Sequence, residues 1–234
     1  MAIYAIADLH LSLNHPKPMD IFGDNWENHA EKIKGNWINT VKNEDIVLVP
    51  GDFSWETYLE DTYKDFEYLN SLPGKKILLK GNHDYWWTTL TNIRNYLKEN
   101  NFNTIDILFN NSYETENYVI AGARGWDYSI TSDRKIIERE IGRLKLSLED
   151  ARCKSFNKEI IVCMHYPPIS RNYINNEFEQ RIINLLKEYN VKKCLYGHLH
   201  GTAHMQAMIG NIENIHFELV SADYTDFKLV KVAD

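Results

Sequence analysis

Three cysteines are all that the 234 residues contain. Cys153, Cys163 and Cys194 form no CxxC pair, so neither a cysteine-built zinc knuckle nor a disulfide framework is encoded. Scattered thiols of this kind point to a reducing, cytoplasmic setting, with Cys163 and Cys194 packed inside the apolar runs that contain them. No apolar run approaches the ~18 residues of a membrane helix. An excess of positive charge is missing as well. Lys and Arg number 26 against 33 Asp and Glu, a formal net charge of -7. Tight non-specific binding to nucleic acid needs a basic surface, so long nucleic acids are disfavoured, although a local basic patch is still allowed. Internal repeats, low-complexity tracts and linkers are absent too. Met1-Ala2-Ile3-Tyr4-Ala5-Ile6-Ala7 carries no basic leader or cleavage site and reads as a first strand.

What is present is an ordinary globular balance, 44% hydrophobic and 25% charged, enough for a sizeable core. The length suits one domain spanning 1–234. Strands are expected at 2–7, 45–49 and 75–79. They alternate with helices from Asn25 (apolar at Trp26, Ala30, Ile33, Trp37 and Val41), over 59–71 and over 87–99. That order predicts parallel strands with right-handed crossovers. Residues 105–109 and 118–121 read as a hairpin. A long amphipathic helix over 132–153, a buried strand over 159–164, a helix over 177–189 and a strand over 193–196 follow, with late strands near 214–220 and 226–232. Two mixed sheets flanked by helices, an α/β sandwich, is the simplest packing.

Five strand ends carry ligand-type residues: Asp8-Leu9-His10, Gly51-Asp52, Gly81-Asn82-His83-Asp84, Met164-His165 and Gly197-His198-Leu199-His200. In an open α/β sheet the C-terminal strand ends are where ligand chemistry gathers. If the strands are neighbours, these turns converge on one edge. Their donors are carboxylates, imidazoles and one amide with no thiolate, a set suited to Mn, Fe, Zn or Co. Seven such ligands are too many for one ion and suit two that share a carboxylate.

This ordered set, DxH, GD, GNH(D/E), H and GHxH, resembles the calcineurin-like metallophosphoesterases, and the resemblance spans residues 8–200. The stretches Gly51-Asp52-Phe53-Ser54-Trp55, Gly81-Asn82-His83-Asp84-Tyr85-Trp86-Trp87 and Arg124-Gly125-Trp126 are similar to a bacterial branch of predicted phosphohydrolases. The resemblance implies a four-layer αββα fold and a phosphoesterase with two divalent or trivalent metal ions. Asp8, His10 and His200 would hold the first ion. Asn82, His165 and His198 would hold the second, and Asp52 would bridge them. A hydroxide held between the ions would attack phosphorus in line, while His83 protonates the leaving group and Asp84 fixes and charges the imidazole.

Many members carry an acidic or polar residue shortly after the GD pair. Here Phe53-Ser54-Trp55 stands there, so the adjoining loop is expected to be aromatic. Trp55 and Trp126 are candidate substrate contacts, weighed against simple core packing. Arg124 is a candidate phosphate donor, weighed against a surface salt bridge. The cations of the long helix, among them Arg134, Arg139 and Arg143, interleave with acids and read as a solvated face. His15, His29 and His216 read as structural, and His204 as a surface or pocket-edge residue. The expected substrate is a phosphomonoester or phosphodiester, small or nucleotide-like. A nuclease of the same fold and a non-catalytic interaction module are the alternatives. The first would need a basic groove, and the second should have lost ligands that are all present here.

Overall fold

The computed structural model describes residues 1–129, 133–154 and 156–234. Strand β1 (Ile3–Ala5) leads through two turns of 3-10 helix, Asp20–Phe22 and Asp24–Trp26, to helix α1 (His29–Thr40). Then come β2 (Ile46–Pro50), α2 (Tyr63–Ser71), β3 (Lys75–Leu79), α3 (Leu90–Glu99) and β4 (Ile105–Ile107). The second half runs β5 (Tyr113–Glu114), β6 (Tyr118–Ala123), α4 (Arg134–Lys154), β7 (Glu159–Met164), α5 (Glu177–Glu188) and β8 (Lys193–Tyr196). It closes with β9 (Gly210–Ile212), β10 (Ile215–Leu219) and β11 (Val230–Ala233).

One sheet has the order β11-β1-β2-β3-β4 and the other β5-β6-β7-β8-β10-β9. β1 to β4 are mutually parallel, as are β6, β7, β8 and β10; β11, β5 and β9 run antiparallel at the edges. Every residue of β2 is buried because both of its faces are covered. Ile46 and Leu48 pack with Ile161, Cys163 and Leu195 of the other sheet, while Val47 and Val49 pack with Ile33, Trp37 and Phe66 of the helices. β7 mirrors this: Ile161 and Cys163 face the first sheet, and Ile160, Val162 and Met164 face the cluster that includes α4 and α5. The result is four layers: helices, sheet, sheet, helices. Cys163 and Cys194 are buried and Cys153 is exposed.

Several expectations shift. Residues 105–109 and 118–121 do not form a hairpin: β4 joins β3 in the first sheet, and the hairpin partner of β6 is the two-residue β5. Both apolar runs suit a buried strand equally well, so pattern cannot say which sheet receives them. The first helix starts at His29, not Asn25, because Asn28 adopts a left-handed φ of 53° and breaks the run. The third starts at Leu90, where the Thr89 hydroxyl accepts the Asn92 N–H at 3.3 Å. Residues 59–62 form a 3-10 turn before α2, and the C-terminal region has three strands where two were expected. α4 begins at Arg134; the expected start at 132 lies outside the described residues. Among the described residues no helix is long and apolar enough to cross a membrane.

Candidate metal centre

The C-terminal ends of β1, β2, β3, β7 and β8 open on one edge, and the five predicted turns meet there. Glycine makes the meeting possible. A Cβ on Gly81 would lie 2.0 Å from Asp52 Oδ1, and one on Gly51, at φ 91°, would lie 2.5 Å from His165 Nδ1. Asp8, His10, Asp52 and His198 also have positive φ, at 61°, 45°, 52° and 75°. Left-handed backbone is costly for residues with a Cβ, and such strain gathers where side chains must be aimed.

Asp8, His10 and His200 bring one donor atom each within 4.8 Å of one another, and so do Asp8, Asp52 and His165. His10 Nε2 lies 3.4 Å from His200 Nε2 and 3.8 Å from Asp52 Oδ2. Asp52 Oδ2 is also 3.6 Å from His165 Nε2. Asn82 Oδ1 lies 2.6 Å from His165 Nε2 and 2.8 Å from His198 Nδ1. All seven expected ligands therefore gather at one place. Asp8 belongs to both triads, so it stands as central as Asp52.

The donor set fits metal ions. His165 Nδ1 lies 3.0 Å from the Pro50 carbonyl, which can only accept. The ring proton therefore sits on Nδ1, and Nε2 turns a bare lone pair toward Asn82 Oδ1 and Asp52 Oδ2. Asp52 Oδ2 is buried and has no hydrogen-bond partner among the described residues. Converging electron pairs with no proton to share call for a cation. For the donors other than His200 the electrostatics agree. Burial pushes Asp8 up to about 7 and Asp52 up to about 6. It holds His165 and His198 down to about 3 and drives His10 well below its ordinary value. His200 goes the other way, to about 9: burial opposes its charge, but Asp223, Asp8 and Asp52 outweigh that.

His83 is half-buried, and its backbone N–H donates to Asp52 Oδ1 at 2.8 Å. The Trp55 ring packs on it at 4.3 Å and stacks on His10 at 4.9 Å and 26°. Burial lowers the His83 pKa. Asp84 does not brace this imidazole as expected. Its fully buried carboxylate accepts the backbone N–H groups of Asp52, Phe53, Ser54 and Gly81 and the Trp86 indole N–H, at 2.7–3.2 Å. It points back into the turn and clamps the two motif loops together. The Tyr85 hydroxyl lies 3.5 Å from His83 Nδ1.

Trp55 lines a cavity of about 390 Å³ together with His10, His83 and His200. Trp126 lies elsewhere. It donates to Asp133 at 3.0 Å, and its ring meets Tyr166 at 5.6 Å, which in turn packs on His198 at 4.3 Å. The Arg124 guanidinium covers the Trp126 ring at 4.6 Å and lies 3.6 Å from Glu140, the buried acid of α4 that Arg139 and Arg143 also approach.

Two residues were not anticipated. Asp223, after β10, lies with Oδ1 2.8 Å from His200 Nδ1 and accepts the Gly201 N–H and approaches His204 Nε2 with Oδ2. It follows a strand, as the motif ligands do, but no spacing ties it to them. Trp26 sets its edge against His10 and His200 at 5.8 and 5.7 Å. Its helical spacing with Ala30 and Ile33 disguised it as a core residue.

Residues 1–202 match the family described as calcineurin-like phosphoesterase. No curated protein matches the chain in sequence. Among solved structures it is similar to a protein of unknown function from Aquifex aeolicus, at 19% identity and a TM-score of 0.51, covering 98% of this chain and 95% of that one. It is also similar to a phosphopantetheinyl hydrolase from Mycobacterium tuberculosis, at 15% identity and a TM-score of 0.56, covering 99% and 95%. At such identities the likeness is one of fold. With the family match over most of its length, the chain belongs to the calcineurin-like phosphoesterases.

Proposed function

We propose that the chain hydrolyses a phosphomonoester or phosphodiester, small or nucleotide-like, with a pair of metal ions held on this edge. Asp8, His10 and His200 would hold one ion, Asn82, His165 and His198 would hold the other, and Asp52 would be shared between the two groups. The observation that carries the reading is the Asp52 Oδ2 atom: buried, unpartnered among the described residues, and 3.8 and 3.6 Å from imidazole nitrogens of the two ligand groups. When bound, the ions supply the Lewis acidity that lowers the pKa of water to about 7 and offset charge on the phosphoryl oxygens.

The chain's own groups do the rest. Asp223 holds His200, and the Pro50 carbonyl holds His165, so that each presents Nε2 to the centre. Asp52 Oδ1 anchors the His83 backbone, and Trp55 fixes the face of its ring. His83 lines the cavity and gives its proton to the departing oxygen as the phosphorus–oxygen bond breaks in line with attack.

The test is hydrolysis of p-nitrophenyl phosphate and bis-p-nitrophenyl phosphate by protein loaded with Mn²⁺, Zn²⁺ or Mg²⁺, alongside its metal content. Two ions per chain with turnover of either ester supports the reading. Two ions with no turnover of any ester overturns it.

A further inference from the structure

The geometry points to an uncharged ring system as the leaving group of this enzyme, seated in the cavity beside His83. This rests on the phosphoesterase reading and narrows its substrate class. The cavity of about 390 Å³ falls in the range of small-molecule sites, about 300–1,000 Å³, and because His10 and His200 line it, part of it belongs to the ion and the phosphoryl group. His83 stands in its lining, so the group that fills it is the one that receives the proton. Met19, Phe22, Trp26 and Trp55 form its apolar walls.

Among the described residues no Lys or Arg lines it. Its one carboxylate, Asp223, is already engaged by His200 and Gly201. Lys17 and Lys32 come near, but each ammonium donates to the backbone carbonyl of a lining residue, Trp55 and Asn25 respectively. A second phosphate or a carboxylate entering here would shed water beside Asp223 and against the apolar walls, and would find imidazoles but no Lys or Arg side chain in the lining among the described residues. A flat neutral ring would meet indole and phenyl faces. The exposed surface agrees: Phe22 is 62% exposed and its neighbour Ile21 is 72% exposed, large apolar side chains left in water where a ring would cover Phe22.

The step balances without a further reactant. Water's oxygen bonds to phosphorus, the bond to the ring-bearing oxygen breaks, and the His83 proton leaves with that oxygen. The proton released by water passes to solvent, from which the imidazole is recharged.

The test compares 3-carbamoylphenyl phosphate with 3-carboxyphenyl phosphate, each as monoester and methyl diester, on the Mn²⁺-loaded full chain. The rings are nearly isosteric and differ in charge. The neutral ring is expected to be turned over with kcat/KM about tenfold or more above the charged one. Phe22→Ala should raise KM for the neutral ring about fivefold with kcat unchanged. Phe22→Arg should narrow the gap between the rings to about twofold. Phe22 is 62% exposed, and circular dichroism checks that both variants fold. Equal kcat/KM for the two rings, or Phe22 variants that shift both equally, overturns the leaving-group assignment and leaves the phosphoesterase reading standing. No turnover of any ester, with two ions bound, overturns both. Calorimetric titration with 3-hydroxybenzamide and 3-hydroxybenzoate needs no turnover, and preferential binding of the benzoate overturns the assignment independently.

Discussion

Asp223 Oδ1 lies 2.8 Å from His200 Nδ1 and fixes which imidazole nitrogen faces Asp8 and His10. A carboxylate behind a ligating histidine sets the ring's tautomer and raises its basicity, and its loss costs about 10–100-fold in metal affinity. Asp223→Asn should weaken metal binding by that amount in a chelator competition, with the fold intact by circular dichroism. Unchanged affinity would remove Asp223 from the centre.

Asp84 is expected to matter for stability before catalysis. Five N–H groups end on its two oxygens, four of them backbone N–H groups of the two motif turns. Asp84→Ala leaves buried donors unsatisfied at about 1–3 kcal/mol each, so unfolding free energy should drop by roughly 3 kcal/mol or more in urea titration. A variant as stable as the parent would refute the clamp.

Asp52→Asn and His83→Ala should fail in different ways. Asp52 stands between the two ligand groups, so its amide variant should lose metal and activity together. His83 touches the centre through its backbone N–H, which alanine keeps. His83→Ala should retain metal yet lose about 10²–10⁴ in turnover, most for poor leaving groups that need the proton. Undiminished cleavage of an alkyl ester by His83→Ala would end the proton-donor assignment.

Lys76 gives a pH signature remote from the site. It is fully buried in β3, its Nζ donates to the Leu72 and Gly74 carbonyls at 2.6 and 2.9 Å, and burial lowers its pKa from 10.5 to about 8. Between those two values the unfolded chain holds a proton that the folded chain has released. Stability from this group therefore rises with pH across the window and is lost as pH falls toward 8, by on the order of 2 kcal/mol. Denaturant unfolding from pH 8 to 10.5 should show the rise in the parent and a flatter profile in Lys76→Met. Parallel profiles would refute it.

How much of this was legible beforehand depends on what kind of signal each residue carries. Asp8, His10, Asp52, Asn82, His165, His198 and His200 each sit just after a continuous apolar run. A parallel strand buried on both faces reads as such a run, and its C-terminal end is the one place where the chain can turn and offer a ligand. The meeting of these residues on one edge follows from that local grammar. The 105–109 run had no such marker. Its choice between β3 and β6 is made by long-range packing that composition does not record.

Tertiary structure alone decided what stands behind the motif residues. Asp84 follows His83 directly, yet its carboxylate turns toward the Asp52-Phe53-Ser54 backbone, because buried amides of two converging loops must be paired and only a chain already folded brings them within reach. Asp223 reaches His200 across 23 residues, and Trp26 and Trp55 enclose the cavity from separate loops. The motif residues carry donor atoms whose chemistry is intrinsic to the side chain, and so sequence suffices to nominate them. Their orienting partners act through direction and distance, and those exist only once the two sheets have packed.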